Sequence, residues 1–253
     1  MKKSIKEIVA AVLNSLQSKD KSIVLAYIDK NYIQHNLGAE DGRKGLLNLF
    51  DIPNVAFKVN IVRIFEDGDF VFTHTEYDFF GPKIGFDIFR FHNGKIAEHW
   101  DNLQEAETET VSGRSQTDGP TEAHDLTKTR KNKELVQSFV EDILLGKKPE
   151  KAAEYISTEK YDQHNPHVAD GLQGLGEAIK QLAEAGMPMT YTRNYRILCE
   201  GDFALAQSEG QFMKKHVAFY DLFRIENGKI VEHWDTIEEI PEKEYWKNKN
   251  GKF

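Results

Sequence analysis

The feature that most constrains this chain is a stretch it contains twice. Residues 86–101 read FDIFRFHNGKIAEHWD, and residues 220–235 read YDLFRIENGKIVEHWD. From Asn93 to Asp101 the copies differ only at Ala97, which is matched by Val231. Chance does not produce that in a chain of mixed composition, so the sequence is a tandem duplication. The 253 residues are expected to fold as two copies of one domain, each closing on this stretch.

Runs rich in Phe, Ile and Val flank Asn93-Gly94 and Asn227-Gly228. Asn-Gly between such runs signals a two-residue hairpin turn, because both central residues need positive φ. The short turn predicts a register in which His92 faces Lys95, Phe91 faces Ile96, Phe89 faces Glu98 and Asp87 faces Trp100. Strand side chains alternate. One face is then expected to carry Asp87, Phe89, Phe91, Ile96, Glu98 and Trp100, and the other Phe86, Ile88, Arg90, Ala97, His99 and Asp101. The first, an apolar wall holding two acids, has the character of a small-molecule pocket.

Each half, at about 120 residues, is long enough to bury its own core. A net charge of −8 and a pI near 5.6 exclude the basic face that phosphate binding requires, so no nucleic-acid partner is expected. The single cysteine, Cys199, rules out an intrachain disulfide and fits a reducing compartment. The N-terminal apolar run is broken by Lys6 and Glu7, and helix is a better reading of it than signal peptide. No stretch approaches the ~18 apolar residues of a membrane span. A soluble cytoplasmic protein without a membrane partner is the expectation.

In chain order, Ile5, Ile8, Val9, Val12, Leu13 and Leu16 mark an amphipathic helix over 4–17, with a shorter one over 21–30. NYIQHNLGAEDG reads as a loop, and Asp41 is placed to cap a helix over 42–50. Strands follow over 55–65 and 70–80, then the hairpin. This predicts an α+β fold: three helices against a four-stranded antiparallel meander, with room for a short extra pairing. Residues 105–127 lack periodicity and aromatics and read as a linker. The second copy repeats the order, with helices over 133–145, 151–156 and 172–185 and strands over 190–199, 203–213, 218–225 and 229–237. The expected domains are thus 1–104 and 128–240, with a charged, aromatic tail over 241–253.

Aligning the halves pairs Tyr32, Gln34, His35 and Asn36 with Tyr161, Gln163, His164 and Asn165. It also pairs His74 with Gln207, Asp87 with Asp221, Glu98 with Glu232 and Trp100 with Trp234. Asp87 on an aromatic face suits a general base, unless a cation or backbone N–H pairs it. His74 is either a satisfied core histidine or, if it faces Asp87, half of an acid/base dyad. Gln207 in its place keeps a hydrogen bond but no proton transfer. His35 with Asn36 suits either a helix-end cap or a grip on a carbonyl. Trp100 and Trp234 are core anchors or a stacking wall for a flat ligand. His99, Asp101 and Arg90 on the other face read as interface groups, and Asp101 becomes the catalytic acid only if that face is the pocket. No HxxxH, HExxH or cysteine pair specifies a metal, and no Gly-rich phosphate loop or nucleophile elbow specifies a cofactor.

On YIQHN followed by DG, and above all on FDIFRFHNGKIAEHWD, each half resembles a SnoaL-like domain of the nuclear transport factor 2-like superfamily. The resemblance covers both halves but not the linker or tail. It implies a cone-shaped α+β barrel, three helices against a curved sheet, with a pocket inside. It also implies an intramolecular pseudo-dimer and leaves further self-association open. For chemistry it implies cofactor-free proton abstraction next to a carbonyl, as in aldol cyclases, isomerases and dehydratases, and many relatives only bind small molecules. Carried onto this chain, it places His35, His74, Asp87, Glu98 and Trp100 in one pocket, and His164, Gln207, Asp221, Glu232 and Trp234 in the other. The base is then Asp87 or, from the HWD triplet, Asp101. A small apolar or carbonyl-containing ligand is the expected partner. A binding module without chemistry and a scaffold with filled cones are the alternatives.

Overall fold

A computed structural model describes residues 3–253 of the chain. Apolar spacing sets the first helix, α1 (Ile5–Ser18), which buries Ile8, Val9, Val12 and Leu13 on one side. Its start is fixed by a capping box: Ser4 Oγ accepts from the Glu7 N–H (3.2 Å), and the Glu7 carboxylate accepts from the Ser4 N–H (2.7 Å). Helix α2 (Lys21–Tyr27) stops earlier than its pattern predicts. The chain turns extended at Ile28 and forms β1 (Ile28–Gln34), so Tyr32-Ile33-Gln34 is strand and not loop. Ile28, Tyr32 and Gln34 are buried while Asn31 and Lys30 face out, and the partner strand lies far along the chain. Helix α3 (Gly42–Leu49) follows. Asp41 stands at its N-cap position but caps nothing; its carboxylate accepts from the Gln34 backbone N–H at 3.0 Å.

Four strands complete the first lobe: β2 (Lys58–Asp67), β3 (Phe70–Asp78), β4 (Pro82–His92) and β5 (Lys95–Glu105). They form the expected antiparallel meander, and β1 adds to it parallel to β5, giving the order β1-β5-β4-β3-β2. The second lobe repeats this. Helix α4 (Thr129–Phe139) ends in a π turn over Val140–Leu144, and α5 (Ala152–Tyr155), β6 (Asp162–Gln163) and α6 (Gly171–Glu184) follow. Strands β7 (Thr190–Glu200), β8 (Phe203–Phe212), β9 (Lys215–Glu226) and β10 (Lys229–Glu239) then give the order β6-β10-β9-β8-β7. Each lobe is an α+β unit of helices on a five-stranded mixed sheet. By packing, one unit is Met1–Glu105 together with Ile240–Phe253, and the other is Ala106–Glu239. No helix among the described residues is long and apolar enough to cross a membrane.

The hairpin departs from its predicted register after one turn of pairing. Asn93 (φ 50°) and Gly94 (φ 76°) form the tight turn, and His92–Lys95 and Phe91–Ile96 pair as expected. Arg90 then faces Glu98, because Ala97 bulges out of the ladder. Val231, at the one position where the duplicated stretches differ, bulges identically between the Ile225–Ile230 and Arg224–Glu232 pairs. Beyond a bulge every side chain changes face. Phe89 therefore faces His99, Ile88 faces Trp100, and Asp87 faces Asp101. The predicted pairs Phe89–Glu98 and Asp87–Trp100 do not form. Phe89, Phe91 and Ile96 pack with Ile8, Val9, Val12 and Leu13 of α1, so the helix-covered face carries Asp87, His99 and Asp101. Glu98 and Trp100 lie on the other face.

Candidate acid–histidine site

Three carboxyl and imidazole groups meet on the covered face of the first lobe. Asp87, 3% exposed, sits on β4 across from Thr73 and Asp101. Its Oδ1 lies 3.0 Å from His99 Nε2, and its Oδ2 accepts from Thr73 Oγ1 (3.0 Å) and the Tyr77 hydroxyl (2.7 Å). His99 Nδ1 lies 3.0 Å from Gln34 Oε1, an oxygen that also accepts the Asn36 N–H. The Gln34 amide in turn donates to the Tyr32 hydroxyl (3.0 Å). Both imidazole nitrogens thus lie within hydrogen-bond reach of oxygen acceptors. Asp101 accepts from Asn36 Nδ2 (2.5 Å) through Oδ2, while Oδ1 is buried without a hydrogen bond.

The second lobe repeats the arrangement. His233 Nε2 is 3.1 Å from Asp221 Oδ1, Nδ1 is 3.0 Å from Gln163 Oε1, and Asn165 Nδ2 donates to Asp235. One substitution pair preserves a hydroxyl across the change of lobe. In the first, Tyr77 on β3 reaches Asp87 and faces Val59; in the second, Tyr191 on β7 reaches Asp221 (3.1 Å) and faces Gly210. The tyrosine has changed strands while its hydroxyl still meets the aspartate. Burial, with the charges of the nearby aspartates, pushes Tyr32, Tyr77, Tyr161 and Tyr191 well above the usual phenol range. All four are therefore neutral donors at neutral pH.

Burial raises the Asp235 carboxyl, with the Asp221 charge adding to it against the opposing pull of His233. Burial alone would lower His233, but the Asp221 hydrogen bond and the two aspartate charges raise it. Both shifts give the folded state extra protons. Asp235 then costs stability as pH rises above the ordinary carboxyl range, and the His233 contribution is lost as pH rises through its folded value. Asp235→Asn is expected to flatten the first of these declines in urea-unfolding curves from pH 4 upward. An unchanged pH slope would refute the burial of a strained carboxylate there.

The other predicted residues form a separate cluster on the opposite face. His35 stacks on Trp100 (4.7 Å between centroids, 14°), and its Nε2 meets Glu98 (2.9 Å), which Arg90 Nε also binds (2.7 Å). His164, Trp234, Glu232 and Arg224 repeat this at 4.6, 3.0 and 2.7 Å. The hydrogen bonds from His164 and Arg224 hold the Glu232 carboxyl low in spite of its burial. Glu98 and Trp100 are thus ion-pair and stacking partners of His35, not companions of Asp87. His74 is also turned away from Asp87. Its ring stacks on Phe86 (4.3 Å), and its Nδ1 accepts from Arg63 (3.0 Å), so of the two readings His74 is the core histidine, and the alternative dyad with Asp87 does not form. Gln207 accepts from Arg196 (2.7 Å) and donates to the Tyr220 hydroxyl. The exchange of His74 for Gln207 therefore leaves the acid–histidine pairs untouched.

Of the predicted residues, the structure brings Asp87, Asp101 and Asn36 together, and Asp221 with Asn165. It adds Tyr32, Gln34, Tyr77 and His99, and Tyr161, Gln163, Tyr191, His233 and Asp235. The repetition of His99 and Asp101 as His233 and Asp235 was the available signal for these; the predicted register placed it on the wrong face. One donor atom from each of Asp87, His99 and Asp101 lies within 4.8 Å of the others, as in Asp221, His233 and Asp235.

No protein-family model matches the chain, and no curated protein does. Solved structures match it over about two fifths of its length. An LEH-like epoxide hydrolase from M. tuberculosis is 26% identical over 39% of this chain and 81% of its own, with a TM-score of 0.36. TsrD from Streptomyces laurentii is 15% identical over 40% and 87%, with a TM-score of 0.35. An NTF2-like protein of unknown function from Cytophaga hutchinsonii is 17% identical over 41% and 95%, with a TM-score of 0.36.

Proposed function

We propose that this tandem of NTF2-like lobes binds a small carbonyl compound and moves a proton on it, with Asp101 as the base in the first lobe. The observation that carries this reading is a buried Asp–His pair with a second acid beside it, present once in each lobe. Asp87 already has both oxygens engaged by Thr73, Tyr77 and His99. It anchors the imidazole. Asp101 keeps an oxygen without a hydrogen bond, as a base needs. The Tyr32 hydroxyl accepts from Gln34, which leaves its own proton for a carbonyl oxygen. In the proposed step Asp101 Oδ1 takes the proton α to the carbonyl. The C–H electrons become the enolate double bond, and the Tyr32 O–H bonds the oxygen on which charge develops. Return of the proton gives isotope exchange or isomerisation.

The test is deuterium exchange at the α-carbon of a panel of small ketones and β-keto esters, followed by NMR in D2O. The expected result is exchange with the native chain and a loss of about 10²-fold or more in Asp101→Asn, the range of general-base contributions. No exchange by the native chain across the panel, or an Asp101→Asn variant as fast as the native chain, would overturn proton transfer. A compound bound without exchange would favour the binding-module reading.

A further inference from the structure

Beyond β5 and beyond β10 the chain runs into two segments of unlike sequence that meet equivalent residues. Residues 248–253 pack within the first unit, and residues 106–119 within the second. The Gly251 carbonyl lies 2.9 Å from His35 Nδ1, and the Ser115 carbonyl 2.7 Å from His164 Nδ1. Asn250 Nδ2 binds Asp41 (2.7 Å), and Arg114 binds Asp170 (3.1 Å). His35 and Asp41 are the counterparts of His164 and Asp170. The contacts therefore superpose Asn250-Gly251-Lys252 on Arg114-Ser115-Gln116, an equivalence that the residues themselves do not announce. Lys252 and Gln116 are both buried, each 4% exposed. The ammonium of Lys252 lies 3.7 Å from Asp101 Oδ1, the oxygen that lacks a hydrogen bond.

We infer that Lys252 is a positioning residue of the first site, the cation that pairs with the Asp101 carboxylate beside the Asp87–His99 pair, and that Gln116 leaves the second site without a lysine at this place. Two carboxylates gathered around one imidazole in a buried region are costly unless a cation compensates them. The groups that face Asp101 are Asn36 after β1, Asp87 on β4, His99 on β5 and Lys252 from the C-terminal segment; the Tyr32 and Tyr77 hydroxyls feel its charge. Among these groups Lys252 is the one ammonium. The second lobe, with a neutral amide at this place, has instead a carboxyl at Asp235 that burial drives toward its protonated form. The inference rests on the proposed function only in treating Asp101 as the working acid.

The test uses the full chain and needs no turnover. Urea unfolding is followed from pH 4 to pH 8 for the native chain, Lys252→Gln, Lys252→Arg, Asp101→Asn and the Lys252→Gln/Asp101→Asn double variant. An ion pair stabilises only where the carboxyl is ionised, so its contribution is present at pH 8 and fades as pH falls. The Lys252→Gln deficit should therefore grow from pH 4 to pH 8 and vanish in the Asp101→Asn background, while Lys252→Arg keeps the native profile. A deficit that is constant with pH, or that adds fully to that of Asp101→Asn, would overturn the assignment. Because isotope exchange is not the readout, coupling without exchange would sink the proposed chemistry alone, and exchange without coupling would sink Lys252 alone.

Discussion

Replacing His99 by alanine should cost the first lobe about 3–5 kcal/mol, the range seen when one partner of a buried ion pair is removed. Asp87 is 3% exposed, and among the described residues His99 is the one basic side chain bonded to it; Thr73 and Tyr77 are hydroxyl donors. Without the imidazole the carboxylate keeps two hydrogen bonds but has no countercharge in direct contact. The stacking of His99 on Phe89 (4.5 Å) is lost as well. Guanidinium unfolding gives the measurement. Asp87→Asn in the His99→Ala background should recover a large part of the loss, because most of it comes from an uncompensated charge and not from the missing ring. A His99→Ala chain within about 1 kcal/mol of the native one would mean that Asp87 and His99 are not coupled as the geometry describes.

Deleting Ala97 should leave the first lobe folded with its pairs intact, and Ala97→Val should be nearly neutral. Ala97 is the bulged residue, and valine occupies the same bulge in the second lobe. Substitution keeps the extra residue. Deletion joins Ile96 directly to Glu98, so Phe91–Ile96, Arg90–Glu98, Phe89–His99, Ile88–Trp100 and Asp87–Asp101 become successive pairs of a regular ladder. His99 and Asp101 then stay on the covered face, because side chains alternate along the strand. What the deletion removes is the local bend of a bulged strand. The expected result is cooperative unfolding for both variants, with a midpoint within about 1 kcal/mol of the native one for Ala97→Val. A deletion variant that no longer unfolds cooperatively would show that the bend, and not the pairing alone, holds the lobe.

Much of the architecture could be read without coordinates. The repeated hairpin implied two lobes, Asn-Gly marked the turn, and period-two runs marked eight of the strands within a few residues. These are local signals, set by backbone conformation and by the alternation of side chains along one segment. The short strand β1 escaped because IDKNYIQ carries too little alternation to stand out, and its partner β5 lies more than sixty residues along the chain. The pairing of lobe equivalents also picked out Asp87 and Asn36, and the HWD triplet Asp101, but the expected register set Asp87 and Asp101 on opposite faces, where the structure pairs them.

What sequence determined alone is therefore the duplication, the order of helices and strands, and the set of polar residues kept in both copies. What only the tertiary structure decided is which of them meet. A single bulge at Ala97 exchanged the faces of Glu98, His99, Trp100 and Asp101. A tyrosine supplied from β3 in one lobe comes from β7 in the other, and the segments bearing Lys252 and Gln116 took equivalent places without sharing a motif. The physical reason is common to all three. Register, strand of origin and the docking of an aperiodic segment depend on contacts between residues far apart in the chain, and local propensity carries no record of them.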